Sequence, residues 1–169
     1  MRQMLFLFAL VVLVGCGMQL RAPTSTPVNL ESLIIQPGDL PAGLTAAQVL
    51  DTRPPAYDQI GMPQASKIIF QRLARGDAPG GFVVVSLYDN PANAYDTLAK
   101  SLGMVGVVTR PTGIGEAAII SADKALGTTL AVKQCRAVVE VLFTQEDAQS
   151  VTAYATRLLS RLQPVFCAP

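Results

Sequence analysis

The 169-residue chain carries a formal charge of +1, with 15% charged residues, 50% hydrophobic residues and no histidine. A near-neutral chain with no run of Lys and Arg offers no track for phosphates, so we expect no nucleic-acid partner. The absence of histidine removes the commonest general base and metal ligand, and it excludes every Ser-His or Cys-His catalytic arrangement.

The first residues follow the order of a bacterial export signal. Arg2 precedes an apolar run from Met4 to Val14, and the small residue Gly15 comes next. The run is about 11 residues long, whereas a membrane-spanning helix needs roughly 20. We therefore expect residues 1–15 to be a cleaved signal peptide rather than a permanent span.

The four residues Leu13-Val14-Gly15-Cys16 resemble the lipobox of bacterial lipoproteins. In that family the cysteine thiol receives a diacylglycerol, the signal is cut just before the cysteine, and the new amino group is often acylated. The resemblance implies that Cys16 is the lipid site and the first mature residue. It also implies a cell-membrane or outer-membrane anchor, with the domain facing outside the cytoplasm. The alternatives are an ordinary cleaved signal followed by a chance cysteine, and burial of the uncleaved residues 4–14 in a cytosolic core.

The anchor is followed by a segment typical of a tether. Residues 16–29 contain the sequence Arg-Ala-Pro-Thr-Ser-Thr-Pro, which is small, polar and rich in proline. The remaining residues, 30–169, have the length of a single domain with its own core.

Hydrophobic periodicity and turn residues predict a chain of hairpins interrupted by two helices. Predicted strands cover 47–52, 66–75, 82–88, 105–109, 117–122, 128–134 and 137–144. The first helix is expected from Asn90-Pro91 to Gly103. The second is expected to begin at a Thr144–Asp147 capping box and to end near Leu162, before Pro164. Segment 117–122 is ambiguous between strand and helix, and its isoleucine pair favours strand.

The order of these elements predicts an α+β fold. Because hairpins dominate, we expect an antiparallel or mixed sheet with two helices packed on one face, in two layers.

Cys135 and Cys167 are the only cysteines besides Cys16. Cys135 falls at the tip of the predicted 128–144 hairpin, and the last helix returns the chain end toward that tip. An even pair in an exported domain favours a disulfide, with two free thiols as the alternative.

Three motifs imitate functional sites but have simpler explanations. Ser121 and Lys124 fit the S-x-x-K spacing of penicillin-recognising enzymes, but the partner motifs S-D-N and K-T-G are missing. The 113–118 segment GIGEAA imitates a phosphate loop, although tight-turn glycines explain it better. Asp89, Asn90, Asn93 and Asp96 are typical of a capped helix start, and we expect no metal or other cofactor there.

One cluster of cations remains as a candidate anion site. Arg72, Arg75 and Arg110 could form it if they converge on one face with Tyr57 or Tyr88.

These observations favour a non-enzymatic role. We expect a lipid-anchored binding or accessory module that contacts an envelope protein or the cell wall. The domain also loosely resembles small extracytoplasmic lipoprotein and sensor domains of unassigned role, in its DLPAG turn, GIGEA loop and final helix. The alternative is a small hydrophobic-ligand-binding lipoprotein; a Ser/Lys or carboxylate hydrolase ranks below it.

Overall fold

A single antiparallel sheet organises the domain. The computed structural model describes residues 29–52, 61–102, 108–123 and 127–167. Seven strands in these ranges pair in the order β1-β2-β3-β7-β6-β5-β4. They are β1 Leu44–Leu50, β2 Lys67–Arg75, β3 Ala78–Leu87, β4 Val108–Thr109, β5 Ala117–Asp123, β6 Gly127–Gln134 and β7 Ala137–Phe143. The described helices are α1 Glu31–Ile34, α2 Pro91–Leu102 and α3 Ala148–Phe166.

The larger core lies between the sheet and α3. Alternate strand residues such as Val83, Val85 and Val139 point to this side, because successive side chains leave opposite faces of a strand. Helix α3 contributes an apolar stripe at helical spacing. Its buried residues are Val151, Tyr154, Ala155, Leu158, Leu159, Leu162 and Phe166. We call this side of the sheet the α3 face.

Helix α2 packs on the opposite side of the same sheet, which we call the α2 face. Its Leu98 packs against Ile119 of β5 and Ala131 of β6, and Ala94 packs against Val138 of β7. The α+β class and the antiparallel sheet are therefore confirmed, but the placement of both helices on one face was wrong. The physical reason is the strand composition: β7 reads Ala-Val-Val-Glu-Val-Leu-Phe and is apolar on both sides, so each side needs a cover.

Several strands begin at other residues than predicted, because backbone pairing extends beyond the apolar runs, past irregular positions in the strands. Strand β1 begins at Leu44, upstream of the predicted start. Strand β3 begins at Ala78, because the turn consists of Gly76 and Asp77 and pairing resumes at once. Segment 117–123 is a strand, as favoured. Of the predicted 105–109 strand only Val108–Thr109 is described as β4; 103–107 lie outside the described residues.

Both ends of α3 differ from the prediction. Asp147 is the N-cap and accepts a hydrogen bond from the amide of Ser150, while Thr144 donates its hydroxyl to the carbonyl of Pro79 instead of forming a capping box. The helix continues through Pro164 to Phe166. A proline removes only one helical hydrogen bond, and the last turn is held by the fully buried Phe166 and the disulfide that follows it.

The segment before β1 is fastened to α3 by polar contacts around a buried carboxylate. Asp39 forms ion pairs with Arg157 and Arg161, and Arg161 also donates to the carbonyls of Leu33 and Ile34. Burial alone would raise the pKa of Asp39, but hydrogen bonds from Arg161 and the Gln36 amide, with the arginine charges, lower it below 3.8. The segment from Leu33 to Asp39 is therefore part of the folded domain.

Candidate functional site

An open groove lies on the α2 face of the sheet, beside the region that α2 covers. Phe70 of β2 and Phe82 of β3 form its aromatic wall, with ring centroids 5.5 Å apart at an interplanar angle of 47°. Phe82 pairs with Leu142 of β7, two residues after the Glu140 that bonds Ser101 of α2, which places the pair on the α2 face. The space measures about 410 Å³, and no residue of α2 lines it. We call it the Phe70–Phe82 groove.

Irregular pairing shapes this groove. Strand β1 advances three residues, from Ala46 to Val49, while β2 advances two, so Ala47 and Gln48 both oppose Arg72. Such a bulge bends the strand and increases its twist. Both bulged residues and Arg72 line the groove.

A second irregularity lies between β2 and β3, where Gly80 and Gly81 lie close to the backbones of neighbouring strands. A Cβ on Gly80 would come within 2.7 Å of the carbonyl carbon of Ala74, and a Cβ on Gly81 would overlap the carbonyl oxygen of Leu142. Gly81 also has φ +124°, which side-chain-bearing residues rarely adopt. The Gly-Gly pair, predicted to be part of a turn, instead allows β3 to approach its neighbours at the end of the groove.

Two charged side chains of opposite sign, Arg72 and Asp77, line the groove. Arg72 is exposed, and its guanidinium makes no ion pair or hydrogen bond with the described residues. Asp77, also exposed, lines the same groove without an ion pair among those residues. An arginine beside half-buried aromatic rings combines a charged hydrogen-bond donor with apolar area, and such residues are enriched in binding interfaces.

The three candidate arginines do not converge. The Nη2 atom of Arg75 lies 2.5 Å from the carboxylate of Glu146, so that cation is neutralised by the turn before α3. Arg110 lines a separate groove of about 130 Å³ with Tyr95 and Leu98. Tyr88 is fully buried and accepts a hydrogen bond from Thr97, and Tyr57 lies outside the described residues. The structure therefore does not show the four-residue site considered above, and only Arg72 contributes to the Phe70–Phe82 groove.

The cysteine pair is joined as predicted. Cys135 and Cys167 form a disulfide with Cα atoms 5.3 Å apart. Cys135 has φ +50° in the tight turn between β6 and β7, and its amide donates to the Glu116 carboxylate. A hydrogen bond from Lys133 and the Cys135 amide lower the pKa of Glu116 and outweigh the opposing effect of burial.

The GIGEAA segment supports this disulfide-bearing turn rather than a phosphate. Ile114 is buried in the core, and the amide of Glu116 donates to the carbonyl of Lys133. A Cβ on Gly115 would clash with Val132 and approach the carbonyl oxygen of Lys133 within 2.7 Å. The glycine is needed for close packing against β6.

The remaining motifs do not assemble into a reactive site. Ser121 lies in β5, so the helical turn that would bring it near Lys124 does not form there, and Lys124 lies outside the described residues. Asn90 accepts a hydrogen bond from the amide of Ala92 and Asp96 pairs with Lys100, as expected of a capped helix. No group of three Cys, Asp or Glu side chains among the described residues is placed to hold a metal ion. No described helix is long and apolar enough to cross a membrane.

Comparison with known proteins adds no family to this description. No protein-family model matches the chain, and neither the curated proteins nor the solved structures gave a match.

Proposed function

We propose that the chain is a lipid-anchored extracytoplasmic binding or accessory module of the bacterial cell envelope, and that the Phe70–Phe82 groove is its binding site. The observation that carries the site is the exposed guanidinium of Arg72, which pairs with no described residue, beside the half-buried rings of Phe70 and Phe82. A partner that supplies an acidic group and apolar surface would satisfy both features at once.

The proposed location draws on two separate parts of the chain. The export-signal order and the lipobox-like residues before Cys16 favour lipid anchoring to the cell membrane or outer membrane. The Cys135–Cys167 disulfide is typical of a domain kept in an oxidising compartment. Neither feature specifies the partner, so the surface of the domain must do so.

The groove fits a recognition role better than a buried-ligand role. Side chains between the sheet and α3, such as Leu130, Val139 and Leu158, are completely buried and packed together. The pockets lined by described residues open to solvent instead. The groove volume nevertheless falls in the range of roughly 300–1,000 Å³ used by small molecules, so a hydrophobic small ligand is the alternative occupant.

The test is capture from intact cells. A C-terminally tagged chain is cross-linked in the cells, extracted in detergent and analysed by mass spectrometry, beside Arg72→Ala, Phe82→Ala and the control Arg110→Ala. We expect a stoichiometric envelope protein or wall fragment with the unmodified chain and with Arg110→Ala. Recovery should fall about tenfold with each groove variant, as for loss of an interface anchor.

Other outcomes would contradict this proposal. Equal recovery with all variants would remove the groove from the function. A chain that is recovered alone, with a small molecule retained in native mass spectrometry, would support the small-ligand alternative. Hydrolytic activity that is lost in Ser121→Ala would indicate an enzyme.

A further inference from the structure

Strand β1 forms one edge of the sheet within the described residues. There it pairs only with β2, and no described strand pairs with its other side. Its sequence, Leu-Thr-Ala-Ala-Gln-Val-Leu, contains no charged residue and no proline, and the five residues from Thr45 to Val49 are exposed. Natural sheets usually block such edges with charges, proline, a bulge or a covering segment, because an open edge can pair with another strand. Of these features, β1 itself has only the bulge at Ala47 and Gln48.

This edge is continuous with the Phe70–Phe82 groove. Ala47 and Gln48, the two bulged residues of β1, form one side of the groove. The side-chain amide of Gln71 donates to the carbonyl of Gln48 and ties the bulge to β2. An added strand would lie about 5 Å from β1 and about 10 Å from β2, so its longer side chains could reach across β1 to Arg72 and Phe70 of β2.

We infer that the partner contributes an extended polypeptide segment, which pairs with β1 as an eighth strand of the sheet. The inference rests on the proposed binding function and specifies its partner class. Backbone hydrogen bonds to β1 supply affinity. Specificity comes from a long apolar side chain that reaches Phe70 and from a carboxylate that reaches Arg72.

Charge complementarity favours a different protein over a second copy of this chain. Residues 44–50 contain no carboxylate, so pairing of two β1 strands would bring no further acidic group to Arg72, which forms no ion pair with Asp77 or another described residue. A segment with an acidic residue near its centre would neutralise that charge in a partly water-excluded site, where an ion pair is stronger than in bulk water.

Site-specific photo-cross-linking in intact cells can test strand pairing directly. The photoreactive residue p-benzoylphenylalanine is placed in turn at Thr45, Ala47 and Val49 of the full chain, and at Thr156 on the exposed side of α3 as a control. Peptide mapping then identifies the attachment point of each cross-link. We expect one continuous partner segment whose attachment points shift in steps of about two residues, in order along β1, because paired strands keep a fixed register. Thr156 should give no cross-link to this segment.

Two substitutions separate edge pairing from groove binding. Ala47→Pro removes a backbone donor at a bulge position outside the regular β1–β2 pairs, with Ala47→Ser as its matched control. Val49→Lys adds a charge to the edge and serves if the proline variant does not fold. We expect Ala47→Pro and Val49→Lys each to lower cross-linking from Thr45 at least tenfold, and Ala47→Ser to leave it unchanged.

The outcomes distinguish the inference from the function on which it rests. Loss of the partner in Arg72→Ala and Phe82→Ala, with full recovery in Ala47→Pro and Val49→Lys, would overturn strand addition and leave the binding proposal intact. Cross-links from β1 only to another copy of β1 would replace the partner with self-association. No loss in either set of variants would overturn both proposals.

Discussion

The guanidinium Nη2 of Arg161 in α3 lies 2.6 Å from the carboxylate Oδ2 of Asp39, in the loop between α1 and β1. The same arginine donates to the carbonyls of Leu33 and Ile34, and the hydroxyl of Tyr154 donates to Ile34 as well. Residues far apart in sequence thus fasten the segment nearest the proposed tether to the last helix.

Asp39→Asn should weaken this attachment. The Asp39 side chain is only 7% exposed, and the substitution leaves Arg161 and Arg157 without their carboxylate. Hydrogen bonds to charged groups contribute about 1.5–3 kcal/mol, so we expect the free energy of unfolding to fall by about that amount at pH 7. Urea denaturation measures the change, and Asp96→Asn, which breaks only an exposed pair with Lys100, should cost less than about 0.5 kcal/mol.

The loss of stability caused by Asp39→Asn should depend on pH. Because the native pKa of Asp39 lies below the unfolded value of about 3.9, the carboxylate stabilises the fold above that value. This contribution is lost as the pH falls through the native pKa. The difference in unfolding free energy between the wild-type chain and Asp39→Asn should therefore shrink from pH 6 to pH 3. An unchanged difference would contradict the assigned role of the charge.

Removal of the Cys135–Cys167 disulfide should destabilise the domain substantially. In a Cys16→Ser background, the double substitution to serine should lower the unfolding free energy by roughly 2–4 kcal/mol, since the unfolded chain regains the entropy of an open loop. Denaturant titration measures the loss. Thiol labelling of the unfolded Cys16→Ser protein should require reductant, and equal labelling without reductant would show that the bond does not form.

Gly115→Ala should cost more than Gly113→Ala, although both glycines have positive φ. Alanine at either position meets the backbone penalty of about 1–2 kcal/mol. Only at residue 115 does the new Cβ also collide with Val132 and Lys133, whereas it meets nothing within 4 Å at residue 113. We expect an additional loss of roughly 1–3 kcal/mol from overpacking, read from the difference between the two denaturation midpoints. Equal losses would remove close packing as the reason for Gly115.

Cys16→Ser tests the anchor that the N-terminal sequence predicts. If Cys16 carries the lipid, the variant should lose the acylated N-terminal peptide and leave the membrane fraction, because the buried acyl chains supply the attachment. Fractionation and mass spectrometry of the N-terminal peptide provide the readout. A variant that stays in the membrane fraction with the same acyl mass on its N-terminal peptide as the wild-type chain would show that lipid on Cys16 is not the anchor.

The local features of this domain could be predicted from the amino-acid sequence. Period-two apolar runs were sufficient to predict that β6 pairs with β7. Helical spacing of apolar residues was sufficient to predict the central parts of α2 and α3. The two-cysteine count, with the hairpin tip and returning helix, was sufficient for the Cys135–Cys167 bond. These features depend on neighbouring residues or on simple chain geometry, so a single sequence contains their signal.

The choice of which helix covers which face, and of which charges pair, depends on long-range packing. The central strands are apolar on both sides, so each side needs a cover, but packing between distant residues is what placed α2 opposite α3. Likewise, Arg72 and Arg75 are near neighbours in sequence, yet Glu146 neutralises only Arg75, while regular pairing of β2 with β3 sets Arg72 opposite Phe82. Pairing between residues some seventy positions apart leaves no periodic trace in the chain, because it depends on how the whole sheet is assembled.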